Sequence, residues 1–241
     1  MKRLVRTCRF LFQAVVIVTA TVCGGGIAMG VLLLRFPRAW FDRIQWVWAS
    51  AIRGACGVRV RCEGAQHVRS GQCYIVVANH RSHFDLIALF TTFPAPLRAM
   101  AKRPLFHIPL FGWAMALAGY VPVDRTKKSR RPHGSLEAAL DALRRGRNIL
   151  VFPEGTRNTR PEAGMLPFHS GAFRLAKEAG VPLLPVAILG GERALPPRTL
   201  TVAACEMEVR IGSPISAPCE EVAVRDLSES ARRAIEALLE E

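Results

Sequence analysis

Cys73-Tyr74-Ile75-Val76-Val77-Ala78 runs straight into Asn79-His80-Arg81-Ser82-His83-Phe84-Asp85, so an apolar strand-like stretch meets a polar turn and then the helical stretch Phe84–Phe93. Strand, turn and helix in this order form the building unit of an α/β layer fold. The spacing of His80 and Asp85 also constrains the backbone. Residues five apart on a regular helix are rotated by roughly 140°, so they would not meet. For the two side chains to touch, His80 must sit on the irregular turn and Asp85 in the first helical turns. Loops at strand ends are where catalytic groups are displayed.

The same alternation extends outward. Strands are expected at Val58–Cys62, Cys73–Ala78, Leu97–Lys102, Tyr120–Val123, Asn148–Phe152, Leu183–Leu189 and Glu206–Ile211. Helices are expected at Phe84–Phe93, Ile108–Ala118, Gly134–Arg145, Gly171–Ala179 and Ser228–Leu239. The fold class is therefore α/β: a single catalytic domain, residues 56–241, with a mostly buried mixed sheet flanked by helices.

Before this domain lie 25 residues without a charge, Phe10 to Leu34. As a helix they would measure about 37 Å, enough to cross a hydrocarbon core of about 30 Å. No small-residue cleavage pattern follows closely, so the segment is expected to be retained. Lys2, Arg3, Arg6 and Arg9 precede it and Arg35, Arg38 and Arg43 follow it, which favours both flanks on the cytoplasmic side. Ala39 to Ile52 then carries Trp40, Phe41, Ile44, Trp48 and Ile52 at near-helical spacing, suited to the headgroup region. The expectation is a two-helix membrane anchor over residues 1–55, bent near Gly24-Gly25-Gly26. A single transmembrane span is the alternative.

The 33 Lys and Arg against 19 Asp and Glu leave a formal charge of +14, which seeks an anionic partner. Aromatic residues are sparse and no zinc-finger or RNA-binding spacing appears, so an anionic membrane surface or phosphorylated substrate is preferred over nucleic acid. The seven scattered cysteines form no C-x-x-C pair. They read as reduced thiols filling a core rather than as a disulfide framework or a metal site.

Four blocks carry chemistry or frame it. In the first, an imidazole, whose ordinary pKa is about 6.5, can act as base near neutrality, and a carboxylate on its other nitrogen fixes the tautomer. His83 is a rival base with a less favourable spacing to Asp85. Ser82 suits a helix cap better than a nucleophile. The second block, Phe152-Pro153-Glu154-Gly155-Thr156-Arg157, ends another apolar strand. Gly155 permits a sharp turn, Arg157 offers a planar fork for phosphate, and Glu154 could position a hydroxyl or hold Arg157. The third, Gly119 to Arg125, closes a strand with an Arg that could reach the same anion or pair with Asp124. The fourth, Val181-Pro182-Leu183-Leu184-Pro185-Val186, is a wall without chemistry. The basic run Asp124–Arg131 is a solvated loop or a phosphate-attracting one.

In order and spacing, these blocks resemble motifs one to four of the glycerolipid acyltransferases. Ala101 to Trp113 and Phe168 to Phe173 resemble the bacterial 1-acylglycerol-3-phosphate acyltransferases within that family. The likeness covers roughly residues 56 to 215. Pro122 and Leu183 depart from the common pattern without removing a functional group. The resemblance implies transfer of an acyl group from acyl-CoA or acyl carrier protein to the free hydroxyl of a lysophospholipid, giving phosphatidic acid. It assigns His80 as general base and Asp85 as its orienter. It gives Arg125, Arg157 and Lys102 to the glycerol phosphate, with Glu154, Gly155 and Thr156 shaping the acceptor site. No metal or resident cofactor is implied, and the bacterial inner membrane, with the domain on its cytoplasmic side, is the expected location. The alternatives are another acceptor, such as a lyso-ornithine lipid, or a membrane-bound thioester hydrolase.

Overall fold

A computed structural model describes residues 2–123, 133–196, 199, 201–217 and 222–240. The chain runs α1 (Lys2–Leu33), α2 (Arg38–Cys56), β1 (Arg59–Glu63), β2 (Ile75–Ala78), α3 (Phe84–Thr92), β3 (Leu97–Lys102), α4 (Phe111–Ala118) and β4 (Val121–Val123). It continues with α5 (His133–Arg144), β5 (Asn148–Val151), α6 (Gly171–Ala179), β6 (Leu183–Leu189), α7 (Gly191–Ala194), β7 (Glu206–Ile211) and α8 (Val224–Glu240). All seven strands join one sheet in the order β1-β7-β6-β2-β5-β3-β4. Among these described strands only the β6–β7 pairing is antiparallel.

The central strand β2 is buried at every position, because both of its faces are covered. Connections that move toward β4 place α3 and α4 on one face, in the core containing Val76, Leu89 and Met115. Connections that move back, α5 and α6, fall on the other face with Ile75, Leu143 and Phe173. One-handed crossovers require this switch of face when the direction of travel reverses. The reversal leaves a crevice beyond the carboxyl ends of β2, β5 and β3, where ligands settle in open α/β sheets.

The N-terminal helices differ from expectation in one respect. Gly24-Gly25-Gly26 does not bend the chain: α1 runs unbroken to Leu33, and the turn falls at Leu34–Pro37. The glycines serve close approach instead. A side chain at Gly24 would touch the Trp48 ring at 3.6 Å, and one at Gly25 would meet the Leu110 backbone at 3.4 Å. Thr21 and Trp48, each about a dozen residues from the turn, are joined by Trp48 Nε1–H donating to Thr21 Oγ1 at 3.1 Å, so α1 and α2 form an antiparallel hairpin. Among the described residues α1 alone is long and apolar enough to cross a membrane.

The hairpin is stitched to the domain. Buried Gln13 donates to the Val202 carbonyl at 2.9 Å and accepts from the Val202 N–H at 3.0 Å. On α2, Asp42 accepts from Arg98 of β3 at 2.6 Å and from Arg147 at 3.2 Å. Arg98 is 1% exposed, and its remaining donors go to the Ala118 and Leu97 carbonyls. The Phe41 and Tyr120 rings flank its guanidinium. Cys8 and Cys23 lie exposed on α1, against the reading of all cysteines as core filler; Cys56 is buried, and the six described cysteines are free.

Candidate active site

Strand β2 ends at Ala78, and Asn79 extends its pairing by side chain: it donates to the Ile188 carbonyl at 2.8 Å and accepts from the Ile188 N–H at 2.7 Å. This pins the start of the turn to β6. The turn then carries His80 outward, and Asp85 enters in the first turn of α3. Asp85 Oδ2 lies 2.9 Å from His80 Nδ1 and also accepts the N–H groups of Arg81 and Ser82, both at 2.8 Å. An ionised carboxylate only accepts, so Nδ1 carries the proton and Nε2 keeps its lone pair. Ser82 Oγ caps the adjoining turn by accepting from the Phe84 N–H at 3.2 Å.

The loop after β5 holds the base from the other side. Phe152 stacks on the His80 ring, with centroids 4.0 Å apart and planes 15° from parallel. Glu154 Oε1 accepts the His80 N–H at 2.8 Å and Oε2 accepts the Leu166 N–H at 2.9 Å. The His80 carbonyl accepts from Asn158 N–H at 2.7 Å. Glu154 is buried, and both of its carboxylate oxygens accept main-chain N–H groups. Its geometric task is to lock the two loops together. Gly155 has φ +70°, the left-handed conformation that lets the loop turn here.

A cavity of about 1200 Å³ opens beside this pair. His80, His83, Lys102, Gly155, Thr156 and Arg157 line its polar end. Ile44, Trp48, Leu86, Phe90, Ala99 and Met115 line its apolar part, so the helical hairpin supplies part of the wall. Burial, then Arg157, His80 and Lys102, hold His83 below the ordinary imidazole value against the opposing pull of Asp85. This disfavours its charged form, so it lines the cavity as a polar group. Tyr120 O–H donates to Gln45 Oε1 at 2.5 Å on the same wall. The structure thus brings His80, Asp85, Lys102, Gly155, Thr156 and Arg157 to one place. Arg125 and the rest of the basic run 124–131 lie outside the described residues.

Three contributors were not singled out in the sequence: Phe152 as a stacking partner, Asn158 as a loop clamp, and Gly191. A side chain at Gly191 would collide with Asp85 Oδ1 and come within 3.1 Å of Ser82 Cβ. The Gly190-Gly191 pair at a strand end is the only sequence signal that marks it. Gly191→Ala should push Asp85 off His80 and lower kcat on the order of 10²-fold, with the fold kept by circular dichroism. Unchanged kcat would show that the carboxylate tolerates displacement.

The acyltransferase family model matches residues 59–189, which hold β1 through β6 together with His80, Asp85, Lys102, Phe152, Glu154, Asn158 and Arg157. A 1-acyl-sn-glycerol-3-phosphate acyltransferase of Saccharomyces cerevisiae is 34% identical over 71% of this chain and 58% of its own length. The Escherichia coli protein of the same description is 33% identical over 55% of this chain and 53% of its length. The chain thus spans little more than half the length of these curated relatives. The crystal structure of a 1-acyl-sn-glycerophosphate acyltransferase from Thermotoga maritima covers 100% of this chain and 99% of its own, with a TM-score of 0.81 at 24% identity, a likeness of fold. On the extent of the family match, carried by the strands and loops that build this site, the chain belongs to the acyltransferase family.

Proposed function

We propose that the protein transfers an acyl group from acyl-CoA or acyl carrier protein to the free hydroxyl of 1-acylglycerol 3-phosphate, giving phosphatidic acid. The observation that carries this reading is the His80–Asp85 pair set at the polar end of a large apolar cavity, with Lys102 and Arg157 beside it. His80 Nε2 takes the hydroxyl proton as that oxygen bonds to the thioester carbonyl. The carbon–sulfur bond then breaks, and the thiolate recovers the proton from the imidazolium. Asp85 keeps the ring in the required tautomer and stabilises its charged form. A thioester is already activated, so the scheme needs no acyl-enzyme and no resident cofactor.

The apolar cavity wall suits an acyl chain, and the cations at the mouth suit the acceptor phosphate. Arg157→Ala should raise the acceptor KM by about tenfold, with a smaller change in kcat. An unchanged KM would remove Arg157 from the phosphate site. The decisive assay offers the purified protein several lysolipids with each acyl donor in turn. Phosphatidic acid as the product supports the reading; acylation of phosphate-free lysolipids alone, or hydrolysis of the thioester alone, would overturn it.

The same reading places residues 1–55 as a membrane anchor and residues 56–241 as the catalytic domain, at the cytoplasmic face of a bacterial inner membrane. Contacts from Gln13 through Ala28 support a hairpin seated in one leaflet rather than a free span. Gln13 against Val202 and Gly25 against Leu110 hold the middle of α1 to the domain, which a free span across about 30 Å of hydrocarbon would not allow.

A further inference from the structure

We propose that the segment Arg103–Ala118, outside the helical hairpin, is a third membrane-seating element that inserts its exposed apolar side chains into an anionic leaflet. This rests on the membrane-surface reading given above. The segment is a 3₁₀ turn, Arg103–His107, followed by α4. Helix α4 reads Phe-Gly-Trp-Ala-Met-Ala-Leu-Ala and contains no charged residue. One side is buried through Gly112, Ala114, Met115 and Ala118, while Trp113 and Leu117, one turn apart, are 51% and 43% exposed. A short helix that packs one face inside needs no large apolar residues on the other, and an amphipathic surface helix would place polar groups there. Leu105 and Ile108 enlarge the outward apolar surface, at 40% and 44% exposed. Exposed large apolar side chains gathered within one segment mark an interaction surface.

The occupant follows from continuity and charge. Leu110 has φ +62° and ψ −59°, and the Phe111 N–H donates to the Pro109 carbonyl at 2.7 Å, a strained γ-turn. That turn presses against Gly25 of α1, and Phe111 lies against Trp48 of α2, so the segment is docked on the hairpin itself. Gly112 allows the tight packing, since a side chain there would collide with the Leu105 and Phe106 carbonyls. Of the chain's four tryptophans three are exposed: Trp40 and Trp46 on α2, and Trp113 on α4. Tryptophan prefers the lipid interface, and the chain's formal charge of +14, with Lys102 exposed at the head of the segment, favours an anionic leaflet. Pro104 and Leu105 also line the cavity, so a seated segment would bring its mouth to the leaflet where a lysolipid resides.

The test uses the full chain with Trp40→Phe, Trp46→Phe and Trp48→Phe, which leaves Trp113 as the sole tryptophan. It is mixed with phosphatidylcholine–phosphatidylglycerol vesicles with or without brominated acyl chains. The expected result is a blue-shifted Trp113 emission, quenched at least twofold by the brominated vesicles. Adding Ile108→Asp and Leu117→Asp should abolish that quenching. If the triple variant does not fold, the wild-type protein is compared with Trp113→Phe, and the bromolipid-quenched part of the emission must drop. Co-sedimentation with vesicles but no quenching of Trp113 would overturn this inference and leave the hairpin anchor standing. Failure of the wild-type chain to sediment with vesicles at all would overturn both.

Discussion

His80→Ala should abolish measurable acyl transfer, with kcat/KM falling by about 10²–10⁴-fold while vesicle binding stays intact. The ring sits where its loss removes one function and little structure. Its backbone is held independently of the side chain, by Glu154 on the N–H and Asn158 on the carbonyl. The loop should therefore keep its course in the variant. What disappears is the acceptor for the hydroxyl proton, together with the face that Phe152 covers. Asp85→Asn is the companion variant. An amide in place of Oδ2 can turn its NH₂ toward Nδ1, which then accepts, so Nε2 carries the proton and cannot serve as base. The same variant also disturbs the Arg81 and Ser82 N–H bonds, so its loss should include some loosening of the turn. Steady-state kinetics on both variants, with circular dichroism as the fold control, decides the matter. Turnover near that of the parent in His80→Ala would remove His80 as the general base.

Much of this site was legible because its parts are local. A base and its carboxylate five residues apart, at the end of an apolar run, state their geometry through chain connectivity alone. Strands β3, β6 and β7 match their sequence expectation residue for residue, since prolines and glycines bound them: Pro96 and Pro104 around β3, Pro182 and Gly190 around β6, and Gly212 after β7. Helix α4 begins later than its apolar pattern suggests, at Phe111 rather than Ile108. The reason is the γ-turn at Leu110, a backbone conformation that no residue type announces. Glycines 24 to 26 read as a hinge, yet they accommodate neighbours that are distant in sequence, Trp48 and Leu110. Glu154 was legible as a functional position and not as a clamp. Its two partners, the N–H groups of residues 80 and 166, are fixed only by the tertiary fold. The ion pair between residues 42 and 98 left no trace in the pattern either, because an Arg within a strand reads as a solvent-facing residue.

That ion pair carries the largest expected effect on stability. Asp42→Ala should destabilise the protein by about 3 kcal/mol, near the lower end of what removing one partner of a buried pair costs. The lower end applies because the Asp42 side chain is 22% exposed and water can partly replace it, whereas Arg98 is 1% exposed. Two guanidinium groups depend on this one carboxylate: Arg98 at 2.6 Å and Arg147 at 3.2 Å. Burial pulls Arg147 below its ordinary value, Asp42 opposes that, and the Arg98 charge adds to it. Without Asp42 the two cations face each other with less compensation. For a chain of 150–250 residues the loss corresponds to roughly 6–12 °C in Tm. Replacing both members, Asp42→Ala with Arg98→Met, should recover part of the loss, because no unpaired charge then remains buried. Denaturant titration of the three proteins in one detergent measures this directly. A change below about 0.5 kcal/mol for Asp42→Ala would mean that the pair does not hold α2 to the sheet. The outcome also bears on how the anchor can be probed. Deleting residues 1–55 would release the protein from membranes if the hairpin is its anchor, but it would also strip Asp42 from Arg98 and the Ile44 and Trp48 wall from the cavity. Lost activity in such a truncation would then follow from a broken domain. Point substitutions on the exposed face of α1, such as Val15→Asp and Val22→Asp, leave Asp42 in place and separate membrane binding from folding.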